Sequence, residues 1–192
     1  MTRFVEQAIA RAGLAPVIPA RERGDLDAVR ALVASLGSVD LLPLGAVADA
    51  VRARECGATV RIHPNGDPNV RWIEIDAGQG ELDLLRAIAV ARVTSVAGAR
   101  IGIDWGRYGL EVSQVALGFG ATDLTGPITR KSGTLITEDD LKKVKGQGMV
   151  QASSLKRREI AALVRYAGRD CEFTDDKPLE AVAARSEESA HA

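Results

Sequence analysis

The sequence predicts an α/β fold built on a parallel sheet, and three observations predict it. From Ala58 onward, short β-type runs alternate with helical runs long enough to serve as crossovers. Three amphipathic helical segments precede the first of those runs. The core must be aliphatic, because hydrophobic residues make up 46% of the 192 residues while aromatics supply only 4%.

The elements follow in order. Phe4, Ala8, Ile9 and Ala12 share one helical face, and Gly13 with Pro16 ends that element. Asp25 is placed to cap a second helix, whose apolar stripe is Val29, Leu32, Val33 and Leu36. Leu44, Val47, Ala48 and Val51 repeat that spacing in a third helix, which Gly57 closes. "ATVRIHP" then reads as a short strand broken by the turn "PNGDPN", and "VRWIEID" (Val70–Asp76) as a second strand. "GELDLLRAIAVARVTSV" places Leu85, Ile88, Ala89, Val93 and Val96 on one helical face. "ARIGIDW" (Ala99–Trp105) is a strand, "LEVSQVALGFG" a helix and "ATDLTGPI" a strand.

Further on, "TEDDLKKVKG" predicts a helix capped by Thr137, with acids in its first turn and lysines in its last, as the helix dipole favours. Ile160, Leu163, Val164 and Ala167 form the stripe of a closing helix, with Gly168 just past its end. From Thr174 the chain is acidic and rich in Ala and Ser, the composition of a mobile tail. The expected divisions are a helical leader over 1–57, an α/β unit with C-terminal helices over 58–173, and the tail over 174–192.

A net charge of −1 gives no global attraction to nucleic acid or to an anionic membrane. No apolar run approaches the roughly 20 residues that span a bilayer, and the N-terminus lacks a signal-peptide stretch, so a cytoplasmic protein is expected. Cys56 and Cys171 form no metal-binding spacing, and the histidines are His63 and His191. No metal site, cofactor or catalytic residue is therefore expected within the chain. "GFGATDLTG" enters a strand and lacks the phosphate-loop patterns. Lys142, Lys143, Lys145, Lys156, Arg157 and Arg158 read as solvated helix ends. His63 reads as a polar strand-end residue, and Cys56 as a small buried apolar one.

Four segments together carry a family resemblance: "ELDLLRAIAVARV", "ARIGIDWGRYG", "VALGFGATDLTGPI" and "REIAALVRYAGRD". Their order resembles the C-terminal portion of the radical-SAM group that contains aminodeoxyfutalosine synthase, dehypoxanthine futalosine cyclase and the deazaflavin-forming FO synthases. "DLLPLGAVADAVRARECGATVRI" is similar to the leader of the same enzymes. The resemblance implies a partial, half TIM-like barrel of about four mainly parallel strands, with N-terminal leader helices and C-terminal helices. It also implies a link to menaquinone biosynthesis by the futalosine route.

The CxxxCxxC loop that holds the family's [4Fe–4S] cluster has no counterpart here, because "HPNGDPN" stands after the first strand. The second to fifth barrel strands are missing with it. Where the family carries "GT" after its last strand, this chain has Gly126-Pro127, and Thr129, Arg130 and Lys131 stand in place of acids. The expectation is a catalytically degenerate binding or accessory subunit. Its alternatives are an enzyme whose cluster comes from a partner chain, and a structural homo-oligomer.

Asp104, Trp105 and Arg107 follow a strand's C-terminal end, and Asp123 lies inside or near the end of the last strand. These four are the candidate small-molecule-binding residues, since parallel sheets place ligands at that end. Loss of the middle strands would expose "VRIH" and "VRWIEID" as weakly protected edges. A homo-oligomer, such as a two-fold dimer, or a complex with a partner protein is expected. The alternative is a monomer whose leader helices fold over the opening.

Overall fold

The computed structural model describes residues 2–36, 39–128 and 156–175. Four helices lead: α1 (Arg3–Arg11), α2 (Val17–Glu22), α3 (Leu26–Ser35) and α4 (Leu41–Cys56). Then come β1 (Thr59–His63), β2 (Arg71–Trp72), α5 (Glu81–Thr94), β3 (Ile101–Asp104), α6 (Trp105–Tyr108), α7 (Leu110–Leu117) and β4 (Asp123–Thr125). The helix Arg157–Tyr166, α8, and the strand Asp170–Phe173, β5, complete the described order. The fold is mixed α/β, with one all-parallel sheet of five strands in the order β2-β3-β4-β1-β5.

Register divides this sheet into two unlike faces, because partnered residues in a parallel sheet point the same way. Ile103, Leu124, Ile62 and Phe173 form one row, and Ile101, Val60 and Cys171 belong to the same face. The five aliphatic residues among these are almost fully buried. Helices α5, α7 and α8 pack on the strands, and α4 packs on α5. α4 buries the predicted Leu44, Val47, Ala48 and Val51, and α5 buries Leu84, Leu85, Ile88, Ala89 and Val93. α1 and α2 pack on α4, and α3 packs on α5, so the leader helices form an outer layer instead of closing over the sheet.

Local signals explain most of the ends. The Asp25 carboxylate accepts from the Ala28 N–H at 3.0 Å, the predicted cap of α3. Asp83 reaches back to the Gly80 N–H at 2.9 Å and fixes the start of α5. Glu159 does the same for Lys156 at 2.8 Å at the start of α8.

Several expectations are corrected. α2 is an additional helix, filled by Val17 and Ala20. Phe4 is 77% exposed, because the short α1 turns Ile9 inward, with Val5, Ala8 and Ala12 half-buried. The second strand is two residues long, since the Ile75 N–H goes to the Tyr108 hydroxyl and not to a neighbouring strand. β3 stops at Asp104, and Trp105 opens α6. In α8 the buried residues are Ile160, Ala161 and Val164, while Leu163 is half-buried. Val96 lies past the end of α5 and is exposed.

The larger correction concerns the edges. β1 is not an edge, because β4 lies on one side and β5 on the other. Thr174, expected to begin the tail, continues this pairing by donating its N–H to the Ile62 carbonyl at 3.0 Å. The Thr137 helix, Lys142, Lys143 and Lys145, and the chain from 176 onward lie outside the described residues.

Candidate functional site

The second face of the sheet is polar. Trp72, Gly102, Asp123, Arg61 and Glu172 form one row across all five strands, and Asp104, Thr125 and His63 form the next. A parallel sheet is ordinarily covered on both faces. Here the loop 64–70 crosses this face, and it reaches the face through Asp67.

Asp123, the first residue of β4, is the centre of the cluster and is fully buried. Its Oδ1 accepts from Arg100 Nη2 at 2.6 Å and Nε at 3.1 Å, and its Oδ2 accepts from the Thr122 hydroxyl at 2.7 Å. His63 Nε2 lies 2.7 Å from the same Oδ1 and 2.8 Å from Arg100 Nη2. Protonated on Nε2, the ring donates to Asp123; protonated only on Nδ1, it accepts from Arg100 and can donate to the Thr174 hydroxyl at 3.1 Å. Asp67 holds the other side of Arg100, accepting from Nη1 at 2.7 Å.

The Asp67 carboxyl sits below its ordinary value, first through the Asn69 backbone N–H and then through Arg100. Burial works against the charge of Arg100, but the bonds to Asp123 and Asp67 outweigh it and hold that guanidinium above its ordinary value. The Trp72 ring lies over Gly102, where a Cβ would come within 2.3 Å of it, and meets the His63 ring edge-on at 5.9 Å. With His63 only 2% exposed and Asp123 saturated, the cluster is a clamp joining β1, β3, β4 and the loop. It is not an accessible acid–base pair.

Beside the clamp, at the N-terminal ends of the strands, a cleft of about 400 Å³ is lined by Glu55, Cys56, Arg61, Gly98, Arg100 and Thr122. Arg92, on α5, is fully buried behind it. Its guanidinium donates to the Gly120 carbonyl at 2.8 Å and the Ala99 carbonyl at 2.6 Å. It also reaches the Thr122 hydroxyl at 3.3 Å and the Cys56 sulfur at 3.4 Å. Desolvation lowers its affinity for the proton.

The predicted site residues are dispersed. Asp104 caps α6 by accepting from the Gly106 N–H at 2.7 Å. Trp105 is fully buried, its ring occupying the space a Cβ on Gly126 would need, and its Nε1–H has no partner among the described residues. Arg107 is exposed, pairs with Glu74 at 2.8 Å and stacks on Tyr108 at 5.2 Å. Asp123 alone enters the cluster, and it begins its strand instead of ending it. The sequence patterns do not single out Arg61, Asp67, Arg92 or Arg100, and they mark His63 only as a strand-end residue. The alternation Thr59-Val60-Arg61-Ile62-His63 was the available signal for two of them.

The chain's donor set does not fit an iron–sulfur cluster. Cys56 ends α4 with its sulfur against Arg92, Cys171 lies on β5, and the loop leaving β1 has no thiol. Burial pushes the Cys171 thiol up to about 11. Comparisons with protein-family models, with curated proteins and with solved structures return no match.

Proposed function

We propose that the chain is a catalytically degenerate relative of the radical-SAM futalosine-pathway enzymes, a partial barrel that serves as a binding or accessory subunit in menaquinone biosynthesis. The observation that carries this reading is the condition of the C-terminal strand ends, where such a barrel keeps its chemistry. Asp104 is spent on a helix cap, Arg107 on Glu74, and the Thr125 hydroxyl on the His63 carbonyl at 2.6 Å. The loop leaving β1, where the family carries its three thiolates, instead supplies Asp67 to the clamp.

The strand order supports the partial barrel. β4 lies beside β1, as the last strand of a closed ring lies beside the first, and helices pack on the apolar face. β5 takes the flank of β1 where a ring would continue. The groups of the polar face that stay accessible outside the clamp, Arg61 and Glu172, support a role in binding a second copy, a partner protein or a small molecule.

Anaerobic iron–sulfur reconstitution tests the reading. The isolated chain should stay colourless and leave S-adenosylmethionine intact. Stoichiometric cluster absorbance in the visible would overturn it. Cleavage only in the presence of a partner chain would replace it with the shared-cluster enzyme. Light scattering tests assembly: a mass of 20.3 kDa that is unchanged on concentration excludes self-association.

A further inference from the structure

Two arginines at the cleft are in opposite conditions. Arg61 stands on β1 in the row of polar residues, and its side chain makes no hydrogen bond to the described residues. Glu172, at 3.8 Å, is its ion-pair neighbour, and the Arg61 side chain is 39% exposed. Its planar fork of five donors is therefore presented to the cleft largely unused.

Arg92 is the reverse. Its donors are satisfied by carbonyls, a hydroxyl and a sulfur, yet it has no carboxylate partner among the described residues. The hydroxyl and the sulfur it touches, Thr122 and Cys56, both line the cleft. Burial works hardest against the Arg92 charge, and Glu55, itself held by Arg21, offsets that only in part, so an anion on the other side of that wall would add to the relief. The remaining charges nearby are matched, Glu55 with Arg21 at 2.6 Å and Arg100 with Asp67 and Asp123.

We propose that this cleft binds a small molecule bearing a carboxylate or phosphate, gripped by Arg61 and favoured by the buried charge of Arg92. Its volume of about 400 Å³ suits a metabolite-sized ligand. A guanidinium binds either oxyanion with two parallel hydrogen bonds. Glu172 acts as a weak internal competitor for the same fork. The site lies at the N-terminal strand ends, away from the end a barrel enzyme would use, so the proposal does not depend on the radical-SAM ancestry.

The test is an amide NMR titration of the full chain with inorganic phosphate and, separately, with succinate, with chloride holding the ionic strength constant. Saturable shifts are expected at Cys56, Gly98 and Thr122. Arg61→Gln should fold normally, because its side chain holds no hydrogen bond among the described residues, and should weaken binding by about tenfold or more. Glu172→Gln should tighten it, which a merely structural Arg61 would not explain. Saturation by one probe and not the other supports the site and assigns its anion. Shifts that never saturate, or an Arg61→Gln variant that binds like the wild type, overturn the proposal. Neither result bears on cluster assembly, so it can fail without the ancestry failing.

Discussion

The two faces of the sheet are made from the same strands, yet different forces hold them. On one face Val60, Ile62, Ile101, Ile103 and Leu124 are sealed by helices, and the interaction is non-directional burial. On the other, Asp123, Arg100, His63 and Asp67 are joined by short directed contacts beneath a loop. The apolar face tolerates repacking so long as volume is kept. The polar face is all-or-none, because each partner removed leaves another buried group unmatched. A charge cluster beneath a loop can close a sheet face, at the cost of that fragility.

The sharpest way to break this contrast is Asp123→Ala. It leaves Arg100 and His63 without their shared acceptor and should cost about 3–5 kcal/mol in urea unfolding. A loss below about 1 kcal/mol would mean that the cluster is solvated and not a clamp.

Leu124→Ala, the next residue on the same strand, probes the opposite face. It should cost about 2–5 kcal/mol through lost burial and a cavity, and added salt should change that cost little. A loss below about 1 kcal/mol would mean that this face is not held by burial.

Gly102→Ala adds one methyl under the Trp72 ring, where the contact would be 2.3 Å. Displacing the ring should cost about 1–3 kcal/mol and shift the tryptophan emission to the red. An unchanged spectrum would place Trp72 elsewhere.

The smallest expected effect is on pH dependence. A carboxyl depressed in the folded state, as Asp67 is, stabilises the fold above its ordinary value of 3.8 and loses that contribution as the pH falls through the lowered one. The unfolding midpoint should drop on the acid side of about pH 4, and Asp67→Asn should flatten that limb. An equally steep limb in the variant would assign the acid sensitivity to other groups.

Much of the helical layer was legible. The stripe Leu44, Val47, Ala48 and Val51 and the cap at Asp25 both follow from i, i+3, i+4 spacing and local hydrogen bonding, and both hold. The strands were legible as runs but not in their extent or pairing. Asp170–Phe173 alternates too weakly to declare itself, and it becomes a strand because β1 offers it an edge. The candidate site was legible only in fragments, since Asp123 was visible as a polar residue near a strand while its partners lay 23 and 60 positions away.

The sequence by itself determined the periodicities: which helices are amphipathic, where they are capped, and that Arg61 and His63 oppose Val60 and Ile62 on one strand. Those properties depend on neighbours within a turn or two of the chain. Only the tertiary structure decided which strands lie side by side. Register then brought Asp123 level with Arg61 and Gly102, set Arg100 between two carboxylates, and left Arg92 buried with none bonded to it among the described residues. A charge becomes a clamp, or a desolvated cation behind a cleft, through groups remote in sequence and through the loss of water around it, and no local pattern encodes either.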